Sequence, residues 1–254
     1  MFMQDSPPNL YTIETCLSPG LYGEIMTCGT FIVVLADILR ATTSICTAFH
    51  NGVKEIIPVA QIEEAKKLKT QGYLVASEQD GKKLDFADFG NSAFYFTRDT
   101  IGGKSLVYCT TNGTRALDTA RSVRRIAIGA FINISALTAW LCSQNENIVI
   151  LCSGWKKKFC LEDTLFAGAL AEKLILHHRF VTHCDATHAA LDLWNVARND
   201  LVGYIEKAMH RKRLQTLGLD EVIPYSFMLD QTAVVPVYED GTITDRKLSD
   251  RDCG

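Results

Sequence analysis

The sequence carries no excess of charge of either sign: 26 Lys and Arg against 29 Asp and Glu leave a formal net charge of -3 at pH 7. A nucleic-acid binder is expected to show a basic excess, so no nucleic-acid partner is expected. An anionic ligand would have to be held by a local pocket and not by the field of the whole molecule. The chain also lacks any Cys-x-x-Cys pair, although nine cysteines are scattered at Cys16, Cys28, Cys46, Cys109, Cys142, Cys152, Cys160, Cys184 and Cys253. An odd count lying mostly in apolar patterns points to thiols packed as small hydrophobes in a reducing compartment. No uncharged apolar run approaches membrane-spanning length. Residues 1–10 are acidic and Pro-containing, without the basic-then-apolar order of a signal peptide. A cytoplasmic protein with no membrane partner is the expectation.

What is present is a chain of 254 residues, 47% of them hydrophobic, enough to bury a full core. One domain over 1–254, or two fused α/β halves of about 1–130 and 131–254, both suit that length. Short apolar runs alternate with amphipathic stretches, the pattern of α/β layering. Residues 31–38 (FIVVLADI) read as a buried strand, followed by a helix that starts near Thr42 and Thr43 and ends near Gly52. Further strands are predicted over 55–60, 73–77, 105–109, 125–130 and 148–152. Helices are predicted over 62–72, from about Arg115, over 135–142 and over about 164–177. The stretch 79–92 reads as a long polar connection, a class of loop that is often functional. Residues 186–213 look mainly helical, and 234–238 with Asp240-Gly241 suggests a terminal hairpin.

The polar turns after the strands collect the chemistry. They hold Asp37 with Arg40 and Thr42, then Thr110 to Thr114, then Asn133, then Ser153 to Asp163. In open α/β sheets ligands bind beyond the carboxyl ends of strands, where helix N-termini offer free N–H groups. One such turn is simple helix capping; four in register favour a shared oxyanion site. Carboxylates stand beside them: Asp37 closes an apolar strand, Glu78 ends another, and Glu162-Asp163 opens a helix. Mg²⁺ suits a few oxygen ligands with several waters, and it can polarise a phosphoryl group. For Asp163 a favourable charge at a helix N-terminus is an equally good account.

Familiar phosphate-handling signatures are missing. An Asp-x-Asp nucleophile motif would need Asp at Leu39, and no Walker loop occurs. Cys109 and Arg115 match the Cys-x5-Arg loop of cysteine-dependent phosphatases, in which a thiolate attacks phosphorus. That pattern has two fixed positions only, and chance matches are common in a chain with nine cysteines. His177, His178, His183 and His188 form no metal motif and read as surface positions. The basic runs 156–158 and 210–213 read as solvated segments or as screens for an anion, and the second precedes a helix able to fold over a pocket.

Together these segments resemble the 2-phosphosulfolactate phosphatase family. The matching stretches are DILRATT from Asp37, Asn51-Gly52 with Ile57-Pro58-Val59, Gly90-Asn91-Ser92, TTNGT from Thr110, Gly129-Ala130-Phe131 with Asn133, and Leu161-Glu162-Asp163. They occur in family order, with a weaker echo at 211–218 and at Val235-Pro236. The resemblance implies a three-layer α/β/α fold with a mostly parallel or mixed central sheet. It also implies Mg²⁺ dependence and release of phosphate from 2-phosphosulfolactate to leave 3-sulfolactate, a step of coenzyme M biosynthesis in that family. Two positions depart from the pattern: Gln79 stands where the family usually has Arg, and Ala93 where it has proline.

On this reading Asp37, Glu78, Glu162 and Asp163 form the catalytic acidic set, some of them holding Mg²⁺ directly or through water. Arg40, Thr42, Thr43, Asn91, Ser92, Thr110, Thr111, Asn112, Gly113, Thr114, Asn133, Ser153 and Gly154 would grip a small anionic phosphate ester. Arg211 and Arg213 would meet its other acid groups. A cysteine-dependent phosphatase and a non-catalytic anion-binding protein remain as alternatives, and a homodimer is compatible with the chain.

Overall fold

A computed structural model describes residues 10–25, 29–110, 113–156 and 158–246, with the side chain of Arg115 outside the described set. The strands are β1 (Tyr11–Cys16), β2 (Phe31–Ala36), β3 (Glu55–Pro58), β4 (Leu74–Gln79), β5 (Lys82–Lys83) and β6 (Ser105–Cys109). After them come β7 (Ile126–Gly129), β8 (Asn147–Cys152), β9 (Phe180–Val181), β10 (Pro236–Glu239) and β11 (Thr242–Asp245). They join in one sheet of order β5-β4-β6-β3-β11-β10-β7-β2-β8-β1-β9. The helices are α1 (Ala41–His50), α2 (Ile62–Thr70), α3 (Arg98–Ile101), α4 (Gly113–Thr119) and α5 (Ile134–Gln144). The second half of the chain adds α6 (Leu161–Leu176), α7 (Asp185–Ala197), α8 (Leu201–Tyr204), α9 (Met209–Thr216) and α10 (Val222–Ser226). The result is the expected α/β class: a large, mixed, mostly parallel sheet flanked by helices.

The sheet consists of two parallel groups. In one, β2 pairs in parallel with β7 and β8, and β8 continues to β1 and β9. In the other, β6 pairs in parallel with β3 and β4. The C-terminal hairpin β10–β11 lies between them, antiparallel to β7 on one side and to β3 on the other. Three antiparallel steps in succession reverse the strand sense, so the two groups run oppositely along the ladder. The hairpin itself is legible from its turn; its insertion at the centre of the sheet is not.

Burial explains the strand compositions. Residues 32–36 of β2 are all buried, as a strand covered on both faces requires, and the sequence there is unbroken apolar. In β6 the faces separate by the period of two: Leu106 and Tyr108 join the main core, while Val107 and Cys109 pack in a smaller cluster with Ala65 and Val75. α6 is buried over most of its length and packs against α7, where Gly168 approaches the backbone of Ala190 too closely for a side chain. No helix among the described residues is long and apolar enough to cross a membrane.

Candidate active site

β2 delivers Asp37 as the first carboxylate after its apolar run, and a tight hydrogen-bonded turn holds it there. The Ala41 N–H donates to Asp37 Oδ1 at 3.2 Å, the Asp37 N–H donates to Thr42 Oγ1 at 3.1 Å, and the Thr42 N–H returns to the Asp37 carbonyl at 2.9 Å. Thr43 Oγ1 donates to the Ile38 carbonyl at 2.9 Å. Thr42 and Thr43 thus shape the turn from inside and satisfy its backbone groups.

Asp163, in the first turn of α6, ties this turn to the loop after β8. Its Oδ1 accepts from the Ile38 N–H at 2.9 Å and its Oδ2 from the Gly154 N–H at 3.0 Å. Gly154 has φ of +63°, and a Cβ there would stand 2.2 Å from the Lys158 carbonyl oxygen, so this loop requires glycine. From the opposite strand group, Glu78 Oε2 accepts the Gly81 N–H at 2.6 Å, and the Gly81 carbonyl accepts Arg40 Nη2 at 3.2 Å. Asn91 is fixed by the Tyr108 hydroxyl, which donates to its Oδ1, and by Ser44 Oγ donating to its carbonyl at 3.4 Å.

These groups surround a cavity of about 330 Å³ whose walls include Asp37, Arg40, Glu78, Asn91, Thr110 and His210. Arg40 is only 5% exposed and makes no ion pair among the described residues. Thr110 Oγ1 is buried without a hydrogen-bond partner among them. Gly113 sits against the acid: a Cβ would lie 2.6 Å from Ala41 Cβ, 3.2 Å from Thr110 Oγ1 and 3.3 Å from Asp37 Oδ2. Only glycine leaves that approach open.

Burial dominates the acids. Desolvation raises the Asp37 pKa and the Glu78 charge adds to it, while His210, the Ala41 N–H and Ser153 oppose. Asp163 is pushed well above the usual carboxylate range by burial, then by Asp37 and Glu162.

The residues read from the sequence fall into three groups. Asp37, Glu78, Arg40, Asn91, Thr110 and Arg213 line the cavity. Asp163, Ser153, Gly154, Thr42, Thr43, Ser92, Gly113 and Thr114 are part of the buried frame or press against it; Thr114 Oγ1 donates to the Thr110 carbonyl. Three residues are used elsewhere. Asn133 spends its amide on backbone, accepting from Ala130 N at 3.0 Å and donating to the Ile128 and Val234 carbonyls at 3.2 and 3.1 Å, so it fastens β7 to the lead-in of β10. Arg211 pairs with Asp220 at 2.8 Å, away from the cavity walls. Glu162 turns to His210 Nδ1 at 2.7 Å instead of facing the cleft with Asp37. Thr111 and Asn112 lie outside the described residues.

Sequence reasoning missed Trp155, Asp80 and Gly81, and saw His210 and Lys156 only as members of basic runs. His210 comes from α9 and stacks on Trp155 with ring centroids 5.4 Å apart. The one cheap signal was the position of that basic run just before a helix. Burial raises the Cys109 thiol pKa, and its side chain joins the cluster with Ala65 and Val75, while neighbouring Tyr108 donates to Asn91; Thr111, Asn112 and the Arg115 side chain of the Cys-x5-Arg loop lie outside the described residues.

The family profile described as 2-phosphosulpholactate phosphatase matches residues 18–241. The chain belongs to the 2-phosphosulfolactate phosphatase family. A "probable 2-phosphosulfolactate phosphatase" of Caldanaerobacter subterraneus subsp. tengcongensis is 35% identical over 215 residues, covering 83% of this chain and 89% of the relative. A protein of the same name from Thermotoga maritima is 36% identical over 214 residues, covering 84% and 91%. A third, from Clostridium beijerinckii, is 32% identical over 217 residues, covering 84% and 91%. The family is one of phosphoric monoester hydrolases by name. Within it, Gln79 of this chain is exposed and is not among the residues lining the cavity that holds Asp37 and Arg40.

Proposed function

We propose that this protein hydrolyses 2-phosphosulfolactate, or a similar small phosphate ester with further acid groups, to 3-sulfolactate and phosphate in a Mg²⁺-dependent reaction. The observation that carries the reading is Arg40: a buried guanidinium with no ion pair among the described residues, beside carboxylates in a small cavity. A buried cation is costly unless an anion meets it, and a phosphate matches the guanidinium fork.

The residues present fit a magnesium ion. Asp37 and Glu78 line one cavity, and the Glu78 charge disfavours that of Asp37, a conflict that a cation between them would relieve. Among the described residues no three His, Cys, Asp or Glu side chains gather as a metal cage. Two carboxylates with the rest of the shell left to water is the manner of Mg²⁺. When bound, the ion supplies a Lewis acid that draws charge from the phosphoryl oxygens. Arg40 and Thr110 Oγ1 bind and orient those oxygens. Arg213 and Lys156, at the α9 side of the cavity, attract the second acid group of the ester.

The test is a panel of phosphate esters including 2-phosphosulfolactate, assayed with EDTA and with Mg²⁺ on wild type and Asp37→Asn. Phosphate release abolished by EDTA, restored by Mg²⁺ and lost in Asp37→Asn is expected. Full activity without metal, or an unaffected Asp37→Asn variant, overturns the assignment.

A further inference from the structure

Glu162 is a buried acid that metal and phosphate binding leave without a task. Its carboxylate is 1% exposed, its Oε1 meets a single side chain, His210 Nδ1 at 2.7 Å, and its Oε2 has no hydrogen-bond partner in the described residues. A buried carboxylate so poorly satisfied costs stability. What it gains is control of one ring. A carboxylate can only accept, so His210 Nδ1 carries the hydrogen, and Trp155, stacked 5.4 Å away at 14°, fixes the plane of the imidazole. With Nδ1 engaged, Nε2 is the nitrogen left free for a ligand; His210 lines the cavity that holds Asp37 and also a second one beside Glu162.

We propose that His210 is the general acid of the reaction and that Glu162 is its positioning residue. The inference rests on the phosphatase reading. Hydrolysis of an alkyl phosphate breaks the bond between phosphorus and the ester oxygen, and the departing alkoxide is a poor leaving group unless it takes a proton. His210 Nε2–H of the imidazolium gives that proton as the bond breaks. Water supplies the new oxygen on phosphorus, and the proton it sheds in becoming hydrogen phosphate restores the imidazolium. Protons and charge therefore balance over one turnover. Glu162 holds the ring in place through Nδ1, as a buried carboxylate does behind other catalytic imidazoles. Charged groups sharing its two cavities are Asp37, Glu78, Asp80, Arg40 and Arg213 on one side, Lys158 and Lys207 on the other, and Lys156 over the Trp155 ring.

A purely structural role, pinning α9 over the cleft, would predict the same loss on every substrate. The experiment compares kcat for the alkyl ester cleaved fastest in the panel with kcat for p-nitrophenyl phosphate, whose leaving group needs little protonation. Wild type, His210→Gln, His210→Phe (which keeps the stack on Trp155) and Glu162→Gln are measured, each with its thermal unfolding midpoint. Both His210 variants should lose about 10²- to 10³-fold on the alkyl ester and less than about 10-fold on p-nitrophenyl phosphate. Glu162→Gln should show the same selectivity at about 10-fold. Equal losses on both esters, or none, overturn the inference while leaving the phosphatase reading intact; a wild type inert on all esters overturns both.

Discussion

Asp163 Oδ1 accepts the backbone N–H of Ile38 across 125 residues of sequence, and its second oxygen takes the Gly154 N–H. One carboxylate thereby joins the ends of two neighbouring strands, and no amide can replace it, because an NH₂ group would face a backbone donor. Asp163→Asn is expected to destabilise the protein by about 2–4 kcal/mol despite removing a buried charge. Thermal unfolding of the variant measures this, and an unchanged midpoint would contradict the clamp.

Asp37→Asn should behave oppositely. Asn can keep the acceptor used by the Ala41 N–H while removing a carboxyl whose pKa is raised chiefly by burial. A carboxyl raised in the folded state favours folding while protonated, and that advantage is lost as pH rises through its folded value. The variant should therefore match wild type in acid and exceed it by about 1–3 kcal/mol at about pH 8, while losing activity. Unfolding midpoints at several pH values, without added metal, decide the point.

Gly113→Ala is expected to lose most activity, since the new Cβ meets Ala41 Cβ at 2.6 Å and stands beside Asp37 Oδ2 and Thr110 Oγ1. Overpacking of this kind costs about 1–3 kcal/mol. Kinetics on the folded fraction should show a fall in kcat larger than that loss of stability explains.

Asn133→Ala separates frame from site. Removing its amide takes a partner from the Ala130 N–H and from the Ile128 and Val234 carbonyls, at a cost of about 2–4 kcal/mol. KM for the ester should stay close to that of wild type; a large rise would return Asn133 to the ligand.

Cys109→Ser should keep most activity and full sensitivity to EDTA, because burial pushes the thiol up and packs it with Ala65 and Val75. Loss of activity with intact folding would revive the cysteine mechanism.

Local signals make much of this readable. The apolar run of β2 and the carboxylate that closes it are adjacent in sequence, as are Glu78 with β4 and Glu162-Asp163 with α6, so those residues are visible without a fold. β1 is easily passed over: Thr12 and Glu14 alternate with Tyr11 and Ile13 as in a strand, but over too short a span to stand out, and its pairing with β8 and β9 is what defines it. Asn133 reads as a ligand because an Asn after a strand serves backbone and ligand equally well until its partners are known, and in the fold those partners are backbone groups. His210 reaches Glu162 from 48 residues away through a helix whose docking no local pattern encodes.

The central position of β10 and β11 sets an order for biosynthesis. Until residues 236–245 have left the ribosome, β7 and β3 each present an open edge, and the two strand groups have nothing to hold them in one sheet. Asp37 lies on one group and Glu78 on the other, so the hairpin sets the spacing of the sheet beneath the cavity they share. A nascent chain arrested before residue 236 should therefore be a ready client for chaperones and should bind no ester, although every residue lining the cavity has already been made.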